Sequence, residues 1–598
     1  MKTCKYLSLG LLLTAGTALQ GCLDFDTPID DLKESEVAID DVVLKGKADE
    51  INYTLVPSEE GFDQAVQNLK NYLSMGKTAQ LGMRGGKNGG FPVSHAYQRQ
   101  YTLTDVYAGY AVVPHHDFAF ASELQSSYHV SKDWNGGPNG HYVGIIKNSF
   151  VPLLNHPDID SIPEMKAITL LMLDYSSIEN ADIYGPFPLA DYKANKEEPP
   201  FVYNDVKSIY ESVEANIDTI VKCLRHFEEK PEWYKEKVQS LLYENTFITR
   251  DKTNGVKGFE TWIRFAHSLK LRMAMHIVKA APDKARKWAE EAVAGGVVES
   301  RLHEVALYPL DGGYTHPLLE ITTTWGDERM NASLESMLQS LEHPYSRIFA
   351  PNSDAISSSD GAVLPANTKV VGIRSGMHVG QGQSYSSNQF IGFSQVRFQA
   401  ISNAPLYIMK WAEVDFLRAE GALRGWSMGG TAEHFYNRGI DNAHLFDPDE
   451  TTMISMIWEN ALSAYKAKEN ATPYTYSDPT GTTPDIESVT KIGVRWNEAD
   501  DREVKLEKII TQKYLALYPN SFEAWSEARR TGYPRMFPVL NPGDGDGSLK
   551  EGDLVRRMLF PNTDDASLQD IQTTGLKALG GPDQQATRLW WDVEGGNF

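Results

Sequence analysis

Few residues in this 598-residue chain have both the type and the spacing that chemistry needs. His303-Glu304 lacks the second His one turn later that a zinc-protease helix requires. In GIRSG, Gly372 to Gly376, the Ser is misplaced for a nucleophile elbow. DGDG, Asp544 to Gly547, starts like a calcium loop, but Leu549 and Val555 stand where that loop needs Gly and a bidentate Glu. It reads as a turn first and an incidental ion site second. His115 and His116 are adjacent, so in a strand they would point to opposite sides, and no third ligand is evident. The Gly-rich stretch from Gly82 to Gly90 fails as a phosphate cradle, because Gly82 and Gly86 are one residue too close and Asn88 replaces the Ser or Thr after the Lys. Asp and Glu are abundant, but a glycosidase pair is defined by separation in space, which residue order does not show. No catalytic, metal or cofactor site is assigned.

Planar rings in loops are a better lead, since they can cover the C–H face of a ligand while amides and charges bond its polar groups. Trp134 and Asn135 sit in SKDWNGGPNG, Ser131 to Gly140, a stretch dense in Gly, Pro and Asn that predicts a loop. Tyr314, Trp325 and Tyr385 lie in further turn-rich clusters. Trp325 has two readings, a ligand contact or a hydrophobic staple for a helix beginning near Glu328 or Asn331. Trp262, Trp288, Trp411 and Trp525 fall within helical patterns and are assigned to packing.

The N-terminus carries different chemistry. Lys2 and Lys5 precede an apolar run, Tyr6 to Ala18, too short to span a bilayer and shaped like a signal peptide. Leu19-Gln20-Gly21-Cys22 resembles a bacterial lipobox, so residues 1–21 are expected to be removed and Cys22 acylated, anchoring the chain by lipid without a transmembrane helix. Asp24, Asp26, Asp30 and Asp31 follow, similar to the surface-export signal of Bacteroidota lipoproteins. Residues 22–57 are read as an acidic tether. Cys4 leaves with the leader, so Cys223 has no disulfide partner. A net charge of -23 argues against nucleic acid as a partner.

The elements that would position these residues are helices. In Lys505 to Pro534, Leu506, Ile509, Ile510 and Leu517 recur on one face, Pro519 breaks the pattern, and Phe522, Ala524, Trp525 and Ala528 begin a second helix stopped by Gly532 and Pro534. Similar pairs are predicted near 165–229, 260–294 and 406–446. They are separated irregularly, so they are dispersed among insertions and do not form a tandem array. The insertions Ser300 to Ala404 and Asp447 to Asp500 are turn-rich. The fold class is therefore mostly α: four dispersed tetratricopeptide-like hairpins forming a spine within 58–598, a loop-rich variable face, and little β.

Taken in order after a lipobox, DIYGPFPLADY (Asp182 to Tyr192), Phe259 to Ile277, Ala404 to Trp426, Glu507 to Pro534 and TRLWWD (Thr587 to Asp592) resemble the SusD/RagB family of outer-membrane nutrient-binding lipoproteins across nearly the whole mature chain. Where many relatives carry Asp-Pro-Arg before the central insertion, this chain has His343 to Arg347. The resemblance implies a non-catalytic lipoprotein of the outer-membrane surface. It implies an oligosaccharide ligand, or peptide in some members, and a TonB-dependent, SusC-like transporter as partner. It also implies aromatic contacts before the first hairpin and between the second and third, the regions of Trp134, Tyr314, Trp325 and Tyr385. A lipid-anchored glycoside hydrolase is the alternative from another class.

Overall fold

Apolar residues at helical spacing dictate four helix pairs, and the computed structural model contains them. It describes residues 44–85, 94–115, 132–248, 258–308, 315–377, 389–397, 401–402, 404–445, 453–561 and 564–598. The pairs are α1 (Pro163–Tyr184) with α2 (Val206–His226), α3 (Glu260–His276) with α4 (Pro282–Gly295), α5 (Trp411–Leu423) with α6 (Ala432–Asp441), and α7 (Arg502–Leu517) with α8 (Ser521–Thr531). They pack in series, α2 against α3, α3 against α5 and α5 against α7, while α8 also reaches α1 and α3. Strands among the described residues are short two-stranded ladders.

The α2 stripe shows the cause. Val206, Ile209, Tyr210, Val213, Ile217, Ile220 and Leu224 are all buried, and the Asp205 carboxylate caps the helix by accepting the Ser208 amide N–H at 2.9 Å. Helix α8 ends where Gly532 turns into the left-handed region at φ 78, a conformation Gly takes without Cβ strain. Trp262, Trp288 and Trp525 are buried in the spine, whereas Trp411 is only half-buried, with Arg438 over its ring.

One buried polar network touches every pair. Asp182 of α1 accepts from the Tyr210 hydroxyl of α2 and the Trp591 indole, each at 2.7 Å, and lies 3.4 Å from His276 of α3. His276 is 3.2 Å from Glu523 of α8. Glu523 accepts from Lys513 of α7 at 2.6 Å, and Arg272 of α3 grips Glu413 of α5 through Nε at 2.6 Å and Nη2 at 2.9 Å. Arg530 joins Glu420 to Glu527. His276, Glu523 and Glu527 gather closely enough for a metal, but Lys513, Arg272 and Arg530 already neutralise these carboxylates. Burial opposes charge on His276, yet Glu523 and Asp182 overcome it and push its pKa up to about 9. Such a network is costly to break on one side, because the partner is left charged and buried.

The structure corrects three expectations. The body begins inside the expected tether: Ala48 and Asp49 are buried, and Asp49 accepts from Asn216 at 2.9 Å and pairs with the buried Lys193. An acidic composition hid an anchoring carboxylate whose cation lies far along the chain. Leu406–Met409, expected to open the third helical pair, is a strand antiparallel to Val305–Leu307, because an apolar run this short pairs readily as strand. The turn-rich insertion Asp447 to Asp500 also holds a regular helix, Met453–Lys466, whereas the helix expected from near Asn331 is present as Ala332–Leu341.

Candidate ligand-binding face

The helix Ser94–Tyr107 organises the candidate face. Tyr97 stacks on Tyr101 at 4.4 Å and Tyr101 on Phe522 at 4.6 Å, while Tyr107 lies 5.2 Å from Trp525, so this helix is locked onto α8 by rings. Thr104 and Ser521 hydroxyls are 2.7 Å apart.

Trp134 reaches this helix from a segment that is helical and not the expected loop. Lys132–Asn135 and Gly137–His141 are two short helical turns, and Pro138 is accommodated in the first turn of the second, where its missing N–H is not needed. Gly137 packs against the Arg99 carbonyl so closely that a Cβ would lie 2.2 Å from that oxygen. This close approach sets Trp134 beside Arg99, whose guanidinium lies 5.0 Å from the ring centroid. Asn135, expected beside Trp134 as a ligand contact, is engaged elsewhere. Its Nδ2 donates to the Leu559 carbonyl at 2.9 Å and its own carbonyl accepts the Tyr184 hydroxyl at 2.6 Å. It is a strut for the Trp134 turn.

Trp325 closes a wide helical turn, Glu320–Trp325, ended by Gly326 at φ 74. It is half-buried against the core. Asn331 caps the following helix by accepting the Ser333 amide at 2.8 Å, which puts Met330 at the staple position and removes that role from Trp325. The Trp325 turn is tied to the same helix as Trp134: Asp327 accepts from Gln98 and lies 2.8 Å from His115 Nε2. The strand pairing Ala111–Val112 with Arg329–Met330 brings these groups together. Next door, Thr102 donates to Glu328 at 2.7 Å. Burial raises the Glu328 pKa to about 7; the Thr102 bond opposes this and Asp327 adds to it.

The turns that carry Trp134 and Trp325 are thus tied to one helix, the first through Arg99 and the second through the Asp327–Gln98 bond. Tyr314, Tyr385, His116, Cys22 and most of the Gly-rich stretch lie outside the described residues. Arg99, Gln98 and Asp327 were missed by sequence reading, and His115 was weighed only as a metal ligand, because Gln98 and Asp327 are separated by 229 positions.

A serially packed helical spine that carries rings on a separate docked helix defines a tetratricopeptide-containing helical fold. The chain belongs to the SusD-like family, Susd and RagB outer membrane lipoprotein, whose model matches residues 62–592. Among solved structures it is similar to a chitin-binding SusD homolog from Flavobacterium johnsoniae, with 28% identity and TM-score 0.73 over 88% of this chain and 100% of that one. A SusD homolog from Bacteroides vulgatus gives 24% identity and TM-score 0.72 over 89% and 100%. A SusD-like protein from Bacteroides thetaiotaomicron gives 24% and 0.70 over 88% and 99%. No curated protein matches the chain. Among the described residues, no helix is long and apolar enough to cross a membrane.

Proposed function

We propose that this protein is a cell-surface lipoprotein that binds oligosaccharide without cleaving it and delivers it to a TonB-dependent outer-membrane transporter. The observation that carries the binding reading is the half-buried Trp134 ring, with the Arg99 guanidinium over it and its turn fixed in place by Gly137 and Asn135. A ring presented by packed backbone binds a sugar face at little entropic cost. The chitin-binding relative from Flavobacterium johnsoniae supports the ligand class. Lipidation at Cys22 and the transporter partner rest on the lipobox and on family membership.

Affinity electrophoresis of the soluble chain across a polysaccharide panel tests this. Retardation by at least one neutral glycan, with no new reducing ends, is expected. No retardation by any glycan overturns the reading, as does release of reducing ends, and retention of peptide pools alone would move the ligand class to peptides. Copurification with an outer-membrane transporter, lost when Cys22→Ala abolishes anchoring, tests delivery.

A further inference from the structure

The helix Ser94–Tyr107 meets the segment that carries Trp325 along a single stripe. Gln98, Thr102 and Asp105 are spaced by four and then three residues, so they lie on one face of that helix. Gln98 donates to Asp327 and Thr102 donates to Glu328 at 2.7 Å, which sets Asp105 at the end of the same seam. The Asp327 amide N–H bonds the Ile321 carbonyl at 3.0 Å and closes the Trp325 turn, so whatever moves Asp327 moves that turn. Beyond it, Asn331 donates its amide N–H to the Tyr110 carbonyl at 3.2 Å and keeps the other end of the segment in place.

Two acids meet in this seam without a cation. Asp105 and Glu328 are each 2% exposed, and the Asp105 Oδ1 makes no hydrogen bond within the protein. The Ser521 hydroxyl of α8 reaches the Asp105 carboxyl. Around it stand the phenols of Tyr97, Tyr110, Tyr514 and Tyr518, which burial keeps neutral. Beside Glu328, Asp327 adds a third carboxyl, 2.8 Å from His115 Nε2. Arg329 follows, but its guanidinium is turned to the carbonyls of Thr322, Glu328 and Ile391. Among the described residues no Lys or Arg pairs with either Asp105 or Glu328.

Two carboxylates buried side by side without a counter-ion lose their hydration and repel each other, so such a pair is held as carboxylic acids. Burial, and after it Glu328, push Asp105 well above the usual carboxylate range, and burial lifts Glu328 to about 7. Ionising both puts two like charges between the helix and the turn, and hydrating those charges requires the two elements to part. We propose that Asp105 and Glu328 form a proton-operated latch: as neutral acids they keep the Trp325 turn on the helix Ser94–Tyr107, and their ionisation above neutral pH releases the turn and weakens ligand binding at Trp325. The effect on ligand rests on the proposed role of Trp325 in binding; the release of the turn does not.

The test is amide hydrogen exchange on the whole soluble chain on either side of neutral pH, corrected for the intrinsic effect of pH on exchange. Peptides covering Glu320 to Asn331 are expected to exchange about tenfold faster on the alkaline side, while peptides of α2 keep their rate. Asp105→Asn with Glu328→Gln keeps both side chains neutral and close to their size, and is expected to remove the difference. Each single variant is expected to reduce it, which decides the matter if the double variant does not fold. Retardation by a bound polysaccharide should weaken on the alkaline side for the parent and stay level for the double variant. Exchange that ignores pH in the parent, or that rises as much in the variants, overturns the latch. Release of the turn with retardation unchanged overturns the coupling to ligand. Retardation by no polysaccharide at either pH, with the exchange profile as expected, overturns the proposed function and upholds the latch.

Discussion

The guanidinium of Arg99 stands 5.0 Å from the centre of the Trp134 ring, and the carbonyl of the same Arg99 receives Gly137 at a distance that leaves no room for a side chain. One residue therefore holds the presented ring and the turn that carries it. The cation also leans on the ring's negative face, an attraction worth about 1 kcal/mol at a partly exposed site. A double-mutant cycle with Arg99→Ala and Trp134→Ala, read in glycan affinity and in unfolding, should give a coupling of about that size. A coupling indistinguishable from zero would mean the two side chains are neighbours without consequence.

Trp134→Ala and Trp325→Ala should each weaken glycan retardation about tenfold or more. Both rings are only half-buried, so truncation should cost about 1–2 kcal/mol of stability, well under the roughly 3–5 kcal/mol typical of a buried Trp. Trp525→Ala, whose indole donates to the Val555 carbonyl at 2.9 Å from a fully buried position, should show that larger loss. Comparable melting losses for Trp134 and Trp525 would assign Trp134 to the core.

Gly137→Ala should cost stability and glycan binding together, since relieving the contact with Arg99 must move the Trp134 turn. Gly140→Ala, three residues away with nothing near its Cβ, should stay within about 0.5 kcal/mol of the parent in unfolding. Equal behaviour of the two variants in thermal unfolding would remove the steric account.

Alkaline pH should loosen the spine. His276 titrates at about 9 in the folded chain against 6.5 when free, because burial, the largest single effect on it, is outweighed by Glu523 and Asp182 acting together. A raised pKa means the folded state binds the proton more tightly, so this stabilisation is complete below about 6.5 and lost by about 9. The shift corresponds to about 3 kcal/mol. His276→Gln should flatten the stability profile between pH 6.5 and 9; an unchanged slope would place the titration elsewhere.

The binding face should respond at lower pH. Burial keeps Glu328 protonated up to about 7, against 4.5 for a free Glu, so its contribution is full below about 4.5 and fades as pH rises through 7. Glu328→Gln, which stays neutral throughout, should therefore be less pH-sensitive than the parent between pH 4.5 and 7. Chemical denaturation at fixed pH values measures this, and a steeper profile for the variant would contradict it.

Sequence reading succeeded where pattern is local. The α2 stripe from Val206 to Leu224, the breaks at Pro282 and Pro519, and the stop at Gly532 all depend on neighbours within a few turns, and each marks a helix or its end in the structure. At Ser94–Tyr107 the residue pattern has no clean period and points only to short helices joined by loops, so the full helix was not legible. From Gln100 to Tyr107 every residue of that helix is buried, so no polar stripe alternates with an apolar one. Sequence reading also took Ser131 to Gly140 for a loop, because Gly and Pro signal interruption without saying that helical turns flank it.

By itself the amino-acid order determined a helical spine of four pairs, a lipobox at Cys22 as an expectation, and the absence of any recognisable catalytic motif. Tertiary structure alone decided that the Trp134 and Trp325 turns are tied to one helix, Ser94–Tyr107, and that Asn135 is a strut. The division follows from range: helical periodicity is written within a few residues, whereas a binding face is assembled by contacts between segments hundreds of positions apart, whose meeting depends on how every intervening helix packs.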